Sequence, residues 1–144
     1  MKKQTLIVVA LFALIGLTAA GAQAQSSASV RANIPFEFKV ADKIMPAGEY
    51  LIRQINPSSD AVTLQIAAKD GDASVMVRTI AIQSNATQSA LVFNRYGNDY
   101  FFSMVSIEGA AYSWQAPKSH AERGPGRELA ALRVEGDRVA VLAR

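Results

Sequence analysis

The 144-residue chain contains no cysteine, one histidine and one tryptophan. Without cysteine it can form neither a disulfide nor the thiolate ligands of a structural zinc site, so its stability must come from a packed core. Its formal net charge is +3, and Lys2 and Lys3 alone supply two of these charges. The rest of the chain has no basic excess, and we therefore expect no nucleic-acid partner and no binding to anionic lipid.

The chain also lacks an apolar run of the length that crosses a membrane. Leu6–Leu17 is a twelve-residue apolar stretch, whereas a spanning helix needs about 20 residues. Lys2 and Lys3 precede this stretch, and Ala22-Gln23-Ala24 follows it with small residues at the two positions that a signal peptidase reads. This order of segments predicts a secretory signal peptide.

We predict a signal peptide over residues 1–24, cleaved after Ala24, and a single β-rich domain over residues 25–144. Cleavage after Ala22 is a weaker alternative. The expected partners are the secretion machinery and signal peptidase, and the expected location is periplasmic or extracellular, with no stable membrane insertion of the mature chain. Any further ligand or protein partner is left open by the sequence.

The clearest pattern in the mature chain lies at Val30–Val40. Its even-numbered residues are all apolar, and its odd-numbered residues are polar or proline. A period of two over this length predicts one long strand with a buried face and a solvent face. Pro35 has no backbone N–H, which places the strand at a sheet edge or at a bulge.

Further strands are predicted where apolar segments lie between turn residues. They are Glu49–Ile55, Ala61–Ala67, Ser74–Ser84 and Arg138–Ala143, in addition to the hairpin described next. In Ser74–Ser84 the apolar positions change from odd to even numbers, which predicts a bulge near Arg78–Thr79.

The segment Leu91–Val105 is the richest in aromatic and β-branched residues, and Gly97-Asn98-Asp99 divides it. This composition predicts a hairpin at the centre of the core. With a two- or four-residue loop Arg95 faces Tyr100. Phe93 then faces Phe102, and Leu91 faces Met104.

The other face of this hairpin carries Tyr96 and Phe101. Either a second layer covers these rings or they form an exposed aromatic patch. The candidate binding patch therefore consists of Arg95, Tyr96 and Phe101, in which the arginine can stack on tyrosine through a cation–π contact.

After Gly109 the alternation ends. Ala110–Gln115, with Trp114, is predicted to be irregular, and Trp114 is either a lid on the core or a binding aromatic. Ser119 and Glu122 have the spacing of a capping box, which predicts a helix start. We expect Gly124-Pro125-Gly126 to break that turn before a second helix-prone stretch at Arg127–Arg133.

Together these elements predict an all-β fold, an antiparallel β-sandwich or small open barrel of six to seven strands with a short helical segment near the C-terminus. We expect no catalytic residue, no cofactor and no metal site. His120 lies beside Ser119, which is better placed as a helix cap than as a nucleophile. Asp70-Gly71-Asp72 has the composition of a hairpin turn. Met45, Met76 and Met104 are expected to fill the core.

Three segments together resemble a known group of proteins. They are IPFEFKVADKIMPAGEY at Ile34–Tyr50, LVFNRYGNDYFFSMV at Leu91–Val105 and PKSHAER at Pro117–Arg123. The chain is similar over most of its mature length to a group of small exported β-rich proteins of soil bacteria of unknown function. The resemblance implies an exported single-domain protein and assigns no catalytic residue, and Gly124-Pro125-Gly126 departs from the longer helix of the group.

The expected function is that of an exported non-enzymatic β-domain, either associated with the envelope or acting as a binding module. A small secreted hydrolase that uses carboxylates is one alternative. A small outer-membrane barrel is another, although Glu49–Ile55 and Ala61–Ala67 are short for its strands.

Overall fold

The computed structural model describes residues 28–56, 61–131 and 136–144. The predicted signal peptide lies outside these residues, as do the last two residues of the helix-prone stretch, Leu132 and Arg133. The described chain is mostly strand with one short helix, which confirms the all-β class.

Ten strands and one helix occur in the described residues. The strands are β1 (Ser29–Ile34), β2 (Phe38–Val40), β3 (Lys43–Met45), β4 (Gly48–Gln54), β5 (Ala61–Ala68), β6 (Ser74–Gln83), β7 (Ala90–Tyr96), β8 (Asp99–Ser106), β9 (Tyr112–Gln115) and β10 (Asp137–Leu142); helix α1 is His120–Ala131. The predicted number of six to seven strands was too low, because the additional elements are only three or four residues long.

The strands form one open sheet in the order β1-β4-β5-β6-β9-β8, and β7 and then β10 follow on the other edge of β8. β2 pairs with β3 and touches β8 in parallel at Lys39 and Phe101. The two ends of the sheet approach each other at one isolated bridge between Ala32 and Ala143. Beside it, Arg31 and Arg144 exchange backbone hydrogen bonds of 2.8 and 2.9 Å. The sheet thus curls around a core without closing.

The alternation at Val30–Val40 is confirmed in burial but not as a single strand. The even-numbered side chains are buried apart from the half-buried Phe36. The prediction of one continuous strand is wrong, since the pairing stops at Pro35 and resumes at Phe38. Because proline cannot donate to a ladder, β1 pairs with β4 before the break and β2 pairs with β3 after it.

The predicted bulge at Arg78–Thr79 is also wrong, because the ladder between β5 and β6 runs without a shift. Thr79 occupies the interior position with no exposed surface, and its hydroxyl donates to the Val62 carbonyl at 2.8 Å. Ile80 points outward and is 60% exposed. A buried threonine with a satisfied hydroxyl therefore replaces the expected apolar residue, so the apolar pattern shifts while the backbone stays regular.

The β7–β8 hairpin has the two-residue loop Gly97-Asn98, and Gly97 adopts a positive φ of 63°. Phe93 faces Phe102 and Arg95 faces Tyr100, as predicted.

The prediction that Leu91 faces Met104 is wrong. The register shifts between Val92 and Phe93, so that Leu91 faces Val105. Ser103 is the extra residue of a β-bulge, and the shift buries Val105, which is 1% exposed, in place of Met104.

Helix α1 begins as predicted, because the Glu122 N–H donates to the Ser119 hydroxyl at 3.1 Å. The predicted break at Gly124-Pro125-Gly126 is wrong, since α1 continues through these residues. Proline removes one hydrogen-bond donor from the helix, and Pro125 nevertheless lies inside α1.

The segment predicted to be irregular forms β9, which pairs with both β6 and β8. Trp114 is half-buried against the core, which is the lid position. Its neighbour Ser113 is fully buried and bonded to the Ser106 hydroxyl at 2.9 Å. A strand of four residues with a buried serine has too little apolar alternation to be recognised from its sequence.

Candidate binding cleft

The three residues of the predicted binding patch do not form one exposed surface. Arg95 lies on the interior side of the hairpin with its guanidinium carbon 5.7 Å from the ring centroid of Tyr100, and its Nε donates to the Gly97 carbonyl at 2.8 Å. Tyr96 lies on the outer face, where its ring meets that of Phe101 edge-on at 5.8 Å.

Phe101 is buried, at 2% exposure, and the Lys39 ammonium lies 5.2 Å from its ring centroid. A second layer therefore covers this face, the first of the two alternatives that the sequence left open. Phe101 acts in packing, whereas a role of Arg95 and Tyr96 in ligand contact stays a prediction.

The layer over Tyr96 is helix α1, which is held by a buried carboxylate. Glu122 is 2% exposed. Its Oε1 accepts hydrogen bonds from the Asn94 amide at 2.8 Å and from the Tyr96 hydroxyl at 3.1 Å. A carboxylate is costly to bury unless donors compensate for the lost water, and these two side chains of β7 do so. The sequence indicated Glu122 only as part of a capping box, since no local pattern marks its partners, which lie 28 and 26 residues away.

Beside this carboxylate opens a cleft of about 580 Å³, within the usual size range of small-molecule sites. Its polar lining comes from strands β7 to β10, the segment before α1, and α1 itself. The polar lining residues are Asn94, Tyr96, Ser103, Gln115, Lys118, Glu122 and Arg138.

Two features of the sheet direct side chains into the cleft. Arg138 of β10 is the cross-strand partner of Asn94, and directly paired residues share a face of the sheet. Ser103 is the bulged residue of β8, and bulges commonly re-aim a side chain next to a functional site. Neither feature has a signature in the sequence.

The Tyr96 hydroxyl lies between groups of opposite charge. Burial raises the pKa of Tyr96 above its ordinary value of 10.0, and the Glu122 carboxylate raises it further through its charge and its hydrogen bond. The Lys118 ammonium acts in the opposite direction without cancelling these effects. Tyr96 therefore keeps its proton throughout the neutral range and donates it in the hydrogen bond to Glu122, which leaves its oxygen as an acceptor in the cleft.

Stability should fall in alkaline solution because two tyrosines have raised pKa values. Burial is also the main cause that raises the pKa of Tyr50, whose hydroxyl donates to the Pro46 carbonyl at 2.6 Å. The unfolded chain loses these protons first, so their contribution is complete below about pH 10 and is lost as the pH rises further. Urea unfolding measured from about pH 8 to about pH 11 checks this, and Tyr96→Phe should show a shallower decline. An equal decline in both proteins would contradict the role given to Tyr96.

Gly136 allows the chain to pass the Tyr96 ring. A Cβ at this position would lie 2.7 Å from Cε1 of Tyr96 and 3.2 Å from the carbonyl oxygen of Arg95. We expect Gly136→Ala to displace the ring and to lower the free energy of unfolding by about 1–3 kcal/mol, as overpacking does. Chemical denaturation checks this value. Gly124→Ala is the control, because a Cβ there meets nothing within 4 Å and a helical position gains about 0.5–1 kcal/mol from alanine.

The other candidate residues lie apart from the cleft. His120 is exposed at the start of α1. Asp70 and Asp72 form a turn, in which the Asp72 N–H donates to the Asp70 carboxylate at 3.2 Å. Met45 is buried as predicted, but Met76 is 63% exposed, so the expectation that it fills the core is wrong. It points outward from β6.

Within residues 28–56, 61–131 and 136–144, no group of three or more histidine, aspartate or glutamate side chains is placed to hold a metal ion. None of their helices has the length and apolar character needed to cross a membrane.

Comparison with known proteins finds no match among family models, curated proteins or solved structures. The resemblance to the group of small exported bacterial proteins therefore stays a prediction. The fold and the cleft define the class on their own: an all-β domain of one open sheet, with a polar cleft between its outer face and a single covering helix.

Proposed function

We propose that the protein is an exported, non-enzymatic β-domain that binds a small polar ligand in the cleft around Glu122. The observation that carries this proposal is the convergence of seven polar side chains on one cavity of about 580 Å³. These groups come from four strands, from the segment before α1 and from α1 itself.

The arrangement of the donors supports recognition. Asn94 and Tyr96 are held by the same oxygen of Glu122, and the Ser119 cap holds the first turn that carries this glutamate. Side chains that are fixed before binding lose little conformational entropy when a ligand arrives. Ser103 and Gln115 add hydrogen-bonding groups from β8 and β9.

The protonation of the site also favours binding over catalysis. The raised pKa of Tyr96 keeps its hydroxyl protonated near neutral pH, so this group donates to Glu122 and does not act as a base. The Glu122 carboxylate is buried and already accepts two hydrogen bonds. Its position suits a structural anchor of the cleft better than a nucleophile.

An NMR titration of the mature chain against neutral sugars, sugar acids and amino acids tests the binding role. We expect saturable shifts of the Asn94, Tyr96 and Gln115 signals, weaker binding by Tyr96→Phe, and recovery of the ligand unchanged. Tyr112→Phe is the matched control, since Tyr112 is 53% exposed on β9. Binding that perturbs only signals outside the cleft would refute the proposal, and conversion of the ligand would support the carboxylate hydrolase instead.

The export part of the proposal has its own test. After expression of the full chain in a bacterium, we expect the protein outside the cytoplasm with Gln25 as its first residue. Cell fractionation and N-terminal sequencing measure both. A cytoplasmic chain that retains its N-terminal segment would show that the export prediction is wrong.

A further inference from the structure

The described lining of the cleft holds two cations and one carboxylate, Lys118, Arg138 and Glu122. Lys118 and Arg138 are both exposed. The salt bridges between described residues join Lys39 to Asp99 and Lys69 to Glu49, so they use neither cation of the cleft. The described part of the lining therefore has an excess of one positive charge.

The one carboxylate of the described lining, Glu122, is buried and hydrogen-bonded within the protein. Glu122 is 2% exposed, and the Asn94 amide and the Tyr96 hydroxyl both donate to its Oε1. Charge-assisted hydrogen bonds of this kind satisfy a carboxylate internally. A ligand that enters the cleft consequently meets the exposed cations before it meets the carboxylate.

The neutral groups of the lining have a different chemistry. Gln115 and Ser103 can both donate and accept hydrogen bonds, and the Asn94 amide keeps its carbonyl oxygen as an acceptor while its nitrogen binds Glu122. Groups that donate and accept suit hydroxyls, which do the same. The cleft thus offers a cationic part and a part suited to hydroxyl groups.

We propose that the cleft binds an acidic sugar, a polyhydroxylated ligand with one carboxylate, and this inference rests on the binding function proposed above. Arg138 and Lys118 bind the carboxylate, for which the planar guanidinium offers paired donors. Asn94, Ser103 and Gln115 bind the hydroxyls. Glu122 keeps its charge although it is hydrogen-bonded, so the described lining has a net charge of +1. A ligand with a single carboxylate neutralises this charge, whereas a doubly charged phosphate would leave a net negative charge in the cleft.

Calorimetric titration with three monosaccharide probes of matched size tests this assignment: galacturonic acid, which has one carboxylate, the neutral sugar galactose, and galactose 1-phosphate. We expect galacturonic acid to bind at least about tenfold more tightly than galactose, and its affinity to fall as salt is added. Lys118→Gln and Arg138→Gln should each reduce the affinity for galacturonic acid by about tenfold and the affinity for galactose by much less.

The controls are Arg78→Gln and Lys69→Gln, which remove exposed cations outside the cleft. They should bind the acid as the unaltered chain does, and equal thermal midpoints establish that all four variants fold. Equal affinity for galacturonic acid and galactose would overturn the acidic-sugar inference and leave the binding function standing. Tighter binding of the phosphate would overturn the choice of carboxylate, and no binding of any probe in the cleft would count against both proposals.

Discussion

Replacing Phe93 with alanine is expected to lower the free energy of unfolding by about 3–5 kcal/mol, the range for truncation of a buried phenylalanine. Phe93 has no exposed surface. Its ring meets those of Phe36, Phe38 and Phe102 edge-on, at centroid distances of 5.2, 5.3 and 6.0 Å. Alanine would therefore leave a cavity among three rings that belong to two separate segments of the chain, and they cannot all collapse into it.

Urea denaturation of the mature chain measures this effect. Since domains are stable by only about 5–15 kcal/mol, we expect the variant to lose most of its folded population at elevated temperature. Tyr112→Ala is the control, because Tyr112 is 53% exposed and surface substitutions usually stay within about 0.5 kcal/mol. A loss below about 1 kcal/mol for Phe93→Ala would show that the core is not centred on the hairpin.

Replacing Glu122 with alanine is expected to cost about 3 kcal/mol, the lower end of the range for removing one partner of a buried charged network. The substitution leaves the Asn94 amide and the Tyr96 hydroxyl without their acceptor on the outer face of the hairpin. Glu122→Gln keeps an acceptor oxygen and should cost only about 1 kcal/mol. Urea denaturation compares both variants with Glu128→Ala, which removes an exposed carboxylate from the same helix.

A second measurement separates the charge of Glu122 from its packing. Because the carboxylate is one cause of the raised pKa of Tyr96, Glu122→Gln should lower that pKa toward its ordinary value. Ultraviolet titration of tyrosine ionisation follows this change. Stability of Glu122→Ala equal to that of the unaltered chain would refute the anchoring role. An unchanged pKa in Glu122→Gln would refute the electrostatic one.

The parts of the fold that follow from local rules could be predicted. Side chains alternate along a strand, so the apolar positions of Val30–Val40 indicated the interior face even across the break at Pro35. The Gly97-Asn98 loop determined the first pairs of the hairpin, because the register of a hairpin follows from its loop. Ser119 was recognisable as a cap for the same reason, since its partner is three residues away.

The errors occurred where a distant contact overrides a local preference. Thr79 can lie in the interior because its hydroxyl donates a hydrogen bond to the Val62 carbonyl of the neighbouring strand. The bulge at Ser103 and the continuation of α1 through Pro125 likewise depend on how separate elements pack. Short strands such as β9 are stabilised by ladders on both sides rather than by their own composition.

For this protein, composition and periodicity were sufficient to establish the all-β class, the interior face of the first strands and the central hairpin, because these depend on neighbours along the chain. The cleft could come only from the folded arrangement. Glu122 meets Asn94 and Tyr96 across 28 and 26 residues, and Arg138 reaches the same face through the pairing of β10 with β7. A hydrogen-bonded carboxylate that joins a helix to a sheet produces no periodic pattern in the sequence. Each of its partners, taken alone, is a residue type that is also common on protein surfaces.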